Sequence, residues 1–283
     1  MAARILDGKS LAAQLRAGVK ERVARLAQRG IRPGLAVILA GDDPASHLYV
    51  RNKVRACEET GIRSIRCEFP STVTESVLIE RVRALNSDDA VHGILVQLPL
   101  PRQVDAGRVL GAVAPAKDVD GFGVENLGAL LAGRPKLVPC TPAGVMRLLE
   151  HAGVVLAGTR AVVIGRSTIV GKPLALLLLQ KDASVTICHS KSRDLPEITR
   201  QADILVAAAG RAKLVSAAMV KPGACVIDVG VNRLSDAGVN RLVGDVDFEA
   251  VKAVAGWITP VPGGVGPMTI AMLLENCIGA AAK

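Results

Sequence analysis

The chain has 283 residues, of which 50% are hydrophobic and 22% charged, so it is neither disordered nor fibrous and has room for one large domain or two ordinary ones. Aromatic residues make up only 2%, so the core must be built from Ala, Val, Leu and Ile, a composition that suits parallel strands buried on both faces. Formal net charge is +9, but Lys and Arg are scattered among acids and few aromatics are present to stack on bases; an anionic small molecule is the expected partner, and no nucleic acid.

Residues 1–16 carry charges throughout and no apolar stretch, which is not the pattern of a secretory signal. Apolar residues at Leu11, Leu15, Val19, Val23 and Leu26 predict a helix over 9–29. Pro33 and Gly34 break it, and the aliphatic run 35–40 reads as a buried strand. A turn at 41–44 opens a helix over 45–60 that stops at Gly61. A strand over 62–69, a helix over 75–86 and a strand over 93–98 continue a βαβα alternation. The passage 99–139 reads as loop-rich, followed by a helix over 143–152. The pattern then restarts: strands at 161–164, 184–188, 204–208 and 225–229, a helix over 173–180, an extended stretch at 257–262, and a last helix over 268–281. The expected fold class is α/β with two domains and a ligand cleft between them, the second starting near Cys140.

The six cysteines are widely spaced with no C-x-x-C pair, so neither a zinc site nor a disulfide framework is expected. No stretch approaches the roughly 18 apolar residues of a membrane span. The protein reads as soluble and cytoplasmic, with no membrane partner.

Gly165, Gly171 and Pro173 follow the strand at 161–164 and open the next helix. Glycines let the backbone approach a diphosphate, and the helix N-terminus offers free N–H groups. The spacing matches neither a P-loop nor G-x-G-x-x-G, so a plain strand-to-helix turn remains the other reading. At the end of the next strand, where an NAD-selective fold usually carries an acid, the sequence runs Cys188-His189-Ser190-Lys191-Ser192-Arg193. That stretch suits a 2′-phosphate, with Arg166 as a further forked donor, and also reads as a solvated basic loop. Tyr49, the only tyrosine, and Lys53 lie four apart and so share a helix face. Such a pair can orient a planar ligand while the amine moves a proton; a surface lysine on an amphipathic helix is the commoner case.

Taken together, the motifs resemble the bifunctional methylenetetrahydrofolate dehydrogenase/methenyltetrahydrofolate cyclohydrolase family over nearly the whole length. The resemblance rests on Ile5-Leu-Asp-Gly-Lys9, Tyr49-Val-Arg-Asn-Lys53, Gly93-Ile-Leu-Val-Gln-Leu-Pro-Leu-Pro101 and Lys117-Asp-Val-Asp-Gly-Phe122. It continues through Pro139-Cys-Thr-Pro142, Gly165-Arg-Ser167 with Val170-Gly171 and Pro173, and Thr259-Pro-Val-Pro-Gly-Gly-Val-Gly-Pro-Met-Thr269.

The resemblance implies a folate-binding catalytic domain over 1–139, with the C-terminal helix 267–283 packing back on it, and a Rossmann-like NADP-binding domain over 140–266. It implies Lys53 as the catalytic amine, Tyr49 beside it against the folate, Gln97 hydrogen-bonded to Lys53, and Asp120 gripping the pterin N–H groups. Leu98, Gly263, Gly264 and Pro267 would complete the folate contacts. Gly165, Arg166, Ser167, Ser190 and the backbone at Val231 would bind NADP. The implied activity is oxidation of 5,10-methylenetetrahydrofolate followed by hydrolysis to 10-formyltetrahydrofolate, by a homodimer that needs no metal.

Overall fold

The structure, a computed structural model, describes residues 2–236 and 239–282. Its contacts divide the chain into two units: Ala13–Cys140 with Ile270–Lys283, and Met1–Ala12 with Thr141–Thr269.

The first unit is built on a three-stranded parallel sheet in the order Arg63–Phe69, Gly34–Ala40, Gly93–Val96. The central strand is aliphatic and buried along its whole length, as expected for a strand covered on both faces. Helix Glu75–Asn86 buries Leu78, Val82 and Leu85, a four-then-three spacing that places all three on one face against Ala36, Ile38, Ile94 and Val96. Each of these side chains contributes roughly 1.5–3 kcal/mol on leaving water. Helix Pro44–Thr60 starts where the Asp43 carboxylate accepts the Ser46 N–H at 2.9 Å, and Pro44 fits the first turn, where its missing N–H costs nothing. It stops at Gly61, whose φ of +80° closes the cap.

The second unit holds a six-stranded, all-parallel sheet in the order Arg4–Ile5, Trp257–Ile258, Cys225–Asp228, Ile204–Ala207, Arg160–Ile164, Ser184–Cys188. From Arg160–Ile164 the chain first builds one way, to Ser184–Cys188, and then the other way, to Ile204–Ala207. That makes the gap between Arg160–Ile164 and Ile204–Ala207 the topological switch point, outside which open parallel sheets bind ligands. Val162, Ile164, Leu205, Ala207, Val226 and Ile258 form the core on one face.

The sheet's first strand corrects the expected boundary at 1–139. Ala3 and Arg4 donate to the carbonyls of Lys252 and Gly256, Leu6 donates to that of Ile258, and the Arg4 guanidinium lies 4.0 Å from the centre of the Trp257 ring. Residues 1–12 therefore fold with 141–269. A two-residue strand has no alternation to read, and its partner is far away in sequence. The last helix runs Val265–Ala281 and changes unit after Thr269 rather than at residue 267; Lys283 lies outside the described residues.

Other differences are short elements. The passage 99–139 contains helices Ala106–Gly111 and Val124–Leu131, and helices Leu195–Thr199 and Phe248–Lys252 follow later. Asn232–Asp236 and Val239–Val243 pair as an antiparallel hairpin. None is long enough to display a helical repeat of its own. Among the described residues, no helix is long and apolar enough to cross a membrane.

Candidate active site

Lys53 projects from helix Pro44–Thr60, half-buried, and its Nζ donates to Gln97 Oε1 at 3.0 Å. Gln97 follows strand Gly93–Val96, and its main-chain N–H donates to the Ile38 carbonyl, extending the sheet by one residue. The Gln97 Nε2 donates to the Leu98 carbonyl at 2.8 Å, which fixes the amide so that its oxygen faces the lysine. Leu98 thus enters the site through its backbone. Tyr49 lies one turn before Lys53 on the same helix and is 41% exposed, with its ring available to a ligand.

Asp120 is brought to this cluster by a folded turn. The segment 117–118 runs beside Gly93–Val96: the Ile94 N–H donates to the Lys117 carbonyl at 2.7 Å, and Ile94 and Asp118 form a parallel bridge. A Cβ on Gly93 would come within 2.6 Å of the Val119 side chain, so glycine permits this approach. The buried Asp118 carboxylate then accepts N–H groups from Gly121, Phe122 and Gly123 and the Asn126 side-chain amide. Gly121, at φ +72°, has no room for a side chain against Val138 and Pro139. Two carboxylates two residues apart therefore have different tasks: Asp118 is consumed in building the turn, and Asp120 is left over.

Among the described residues no protein hydrogen bond reaches the Asp120 carboxylate, whose residue is 9% exposed and whose oxygens still reach solvent. Burial pushes its pKa up to about 6, against the pull of the Lys53 ammonium and with the push of Asp118. A buried carboxylate without donors, beside a lysine, is suited to a ligand that brings its own N–H groups. Cys140 is adjacent, and burial followed by the charge of Asp120 holds its thiol far above the usual range, so it is a packing residue and no nucleophile.

Sequence reasoning missed Asn276. Its Nδ2 donates to the carbonyls of Val119 and Val138, both at 2.8 Å, and so clasps the chain on either side of Asp120 and Gly121. An amide in a mostly apolar last helix was the available signal.

The six-stranded unit carries the other predicted set. Gly165 follows strand Arg160–Ile164 at the switch point, with φ +133°, and a Cβ there would lie 2.2 Å from the Ala208 carbonyl oxygen. A Cβ on Gly171, at the start of helix Gly171–Leu179, would lie 2.1 Å from the Gly165 carbonyl oxygen. Only glycines allow this tight return, which leaves the helix N-terminus open to an anion. Ser167 Oγ accepts the N–H groups of Val170 and Gly171, at 3.1 and 3.3 Å, which leaves its own proton to be donated. Arg166 and Ser190 are exposed, and Ser190 sits in the turn after strand Ser184–Cys188, which lies next to Arg160–Ile164. Val231, 48% exposed, follows strand Cys225–Asp228. The turn, the exposed Arg166 and the absence of an acid beside Ser190 fit a dinucleotide carrying an additional phosphate.

Gly263, Gly264 and Pro267 belong to the same unit as this turn rather than to that of Lys53 and Asp120. Gly264 bonds back to the Pro260 carbonyl, and Lys9 donates to that of Gly263. A Cβ on Gly8 would fall 1.8 Å from the Gly264 oxygen, and one on Gly264 would fall 2.6 Å from the Pro260 carbonyl oxygen, so neither position has room for a side chain. Pro267 lies in the first turn of helix Val265–Ala281.

The parallel sheet with its glycine turn at the switch point, together with a Lys–Gln–Asp cluster in a second α/β unit, defines a two-unit nicotinamide-dinucleotide enzyme. Residues 6–120 match the family described as tetrahydrofolate dehydrogenase/cyclohydrolase, catalytic domain, and residues 139–283 match its NAD(P)-binding domain. The chain is 58% identical over 283 residues, 100% of both chains, to the bifunctional protein FolD of a Polaromonas species. It is similar to the solved bifunctional FolD methylenetetrahydrofolate dehydrogenase/cyclohydrolase of Campylobacter jejuni, with TM-score 0.96 and 49% identity covering 99% of each chain. The Trypanosoma brucei N5,N10-methylenetetrahydrofolate dehydrogenase-cyclohydrolase, solved with NADP cofactor and an inhibitor, matches at TM-score 0.96 and 42% identity, covering 100% of this chain and 98% of that one. The chain belongs to the tetrahydrofolate dehydrogenase/cyclohydrolase family.

Proposed function

We propose that the chain oxidises 5,10-methylenetetrahydrofolate to the 5,10-methenyl form with NADP⁺ and then hydrolyses that product to 10-formyltetrahydrofolate. Within the family, the observation that carries this reading is the Lys53–Gln97 pair beside a buried Asp120 that has no donor of its own.

Asp120 accepts N–H groups from the pterin, a pairing that a carboxylate free of protein donors makes well. Tyr49 lies along the planar folate, and Leu98 borders it. The bound nicotinamide supplies the hydride acceptor. Gly165, Arg166, Ser167, Ser190 and the backbone at Val231 hold its diphosphate and 2′-phosphate. Loss of hydride leaves the methenyl carbon cationic. Water adds there and ring opening breaks the bond to N5, so both protons of the added water leave its oxygen, one reaching N5 and one released to solvent. Lys53 relays these protons, held in place by the oxygen of Gln97. Lys53→Met is expected to abolish hydrolysis of methenyltetrahydrofolate while NADPH still binds. An unchanged hydrolysis rate in that variant would remove Lys53 from the mechanism.

The protein is further assigned as a cytoplasmic homodimer. All six cysteines are free and buried, in keeping with a reducing compartment. The outer edge of strand Ser184–Cys188 pairs with no other strand among the described residues, and Ile187 and Leu179 beside it are 40% and 58% exposed. An unpaired edge flanked by exposed apolar side chains suits a second copy of the chain.

A further inference from the structure

Two carboxylates in the six-stranded unit are buried and take no part in the chemistry above: Asp228 and Asp245, 3% and 0% exposed. Asp228 ends strand Cys225–Asp228. Its Oδ1 accepts the N–H groups of Gly230 and Asp245, and its Oδ2 that of Val246, all at 2.9 Å. Asp245 Oδ2 accepts the N–H groups of Ala209 and Gly210, at 2.6 and 2.9 Å, and its Oδ1 accepts Nδ2 of Asn232 at 2.9 Å. The packing leaves no slack: a Cβ on Gly230 would lie 2.2 Å from the Asp245 carboxyl carbon, and one on Gly244 would lie 1.8 Å from Asp228 Oδ2.

Burying two neighbouring carboxylates is costly, and their six donors, five of them main-chain, offset that cost. The segments tied together are the loops leaving the C-terminal ends of two adjacent strands, 208–210 after Ile204–Ala207 and 229–232 after Cys225–Asp228. The first loop begins with Ala208, whose carbonyl oxygen is the atom that excludes a side chain from Gly165. The second carries Val231. Both therefore stand where an open parallel sheet receives its ligand.

We propose that Asp245 is a positioning residue for the nicotinamide dinucleotide. By accepting from Ala209, Gly210 and Asn232, it fixes the loop that packs on the Gly165 turn against the loop that carries Val231. This inference rests on the dinucleotide reading of that turn. Asp245 acts through that wall, its oxygens being taken up by Ala209, Gly210 and Asn232, and small displacements of such a wall are expensive in binding.

The test uses full-length Asp245→Ala and Asp245→Asn, with NADPH titrated by fluorescence and KM measured separately for NADP⁺ and for methylenetetrahydrofolate. Hydrolysis of methenyltetrahydrofolate, which consumes no nicotinamide, reports on the rest of the protein. The expected result for Asp245→Ala is NADPH affinity weakened by about tenfold or more, with KM for NADP⁺ rising in step and hydrolysis per folded molecule within about twofold of the parent. Asp245→Asn keeps one acceptor oxygen and is expected to fall between the two. Unchanged NADPH affinity in a folded variant would overturn the proposal, and so would hydrolysis and NADPH binding falling together. Should Asp245→Ala fail to fold, Asn232→Ala removes one of the three donors and must weaken NADPH binding in the same direction for the proposal to stand. Failure of the dinucleotide reading itself would show separately, as a parent protein that binds no NADPH.

Discussion

Asp120 and Asp118 are two residues apart and yet opposite in character, because one accepts four hydrogen bonds from its own turn and the other accepts none. With Asp120 raised to about 6 by burial, the folded protein between about pH 4 and 6 keeps a proton that the unfolded chain has released. Its contribution to stability is therefore greatest below its unfolded value and declines as pH rises through 6. Asp228, which burial raises to about 7, acts with the same sign. Thermal melts of Asp120→Asn should fall less steeply than those of the parent between pH 4 and 6.5; parallel curves would contradict the assignment. Pterin N–H groups favour the ionised carboxylate, so KM for methylenetetrahydrofolate should decrease as pH rises through about 6 and lose that dependence in Asp120→Asn. Lys53, Tyr49, Gln97 and Asp120 could be named together from the sequence because each lies in a motif that resembles the family's. Asp118, Asn276 and Asp245 were not, because most of their partners are main-chain atoms that leave no mark on residue identity.

Among the elements, those legible in sequence were those long enough to show a period or an aliphatic run: the three strands around Gly34–Ala40, the helices Pro44–Thr60 and Glu75–Asn86, and the strands leading to Gly165 and Ser190. Arg4–Ile5, the five- to eight-residue helices and the hairpin after Val231 depend on partners supplied by the fold. The junctions between elements carry the sharper consequences. Gly165→Ala places a methyl group against the Ala208 carbonyl at a φ that side chains avoid, and is expected to cost at least about 1–3 kcal/mol in urea unfolding as well as NADPH binding. Asn276→Leu leaves the Val138 carbonyl without its donor and the Val119 carbonyl with only the Cys140 thiol. At roughly 1–3 kcal/mol for a buried group left unpaired, about 1–3 kcal/mol should be lost and KM for the folate should rise; a variant as stable as the parent would show the clasp to be incidental.

For the whole molecule, the sequence order of the units misled most at residues 1–12, which complete the edge of the six-stranded sheet rather than begin the three-stranded one. The opposite edge, at Ser184–Cys188, is where the proposed homodimer would form: Ile187→Lys should shift the species seen by light scattering toward the monomer, whereas a monomeric parent would refute the proposal. The most direct test of the account is to mix the purified chain with methylenetetrahydrofolate and either NADP⁺ or NAD⁺. Reduced nicotinamide is then followed and the folate products separated without an acid quench, since acid closes the formyl product back to methenyl. The account predicts NADPH in preference to NADH, together with 10-formyltetrahydrofolate formed faster than buffer alone hydrolyses methenyltetrahydrofolate. NADPH with methenyltetrahydrofolate accumulating would contradict the hydrolytic role of Lys53, and no turnover with either cofactor would contradict the account as a whole.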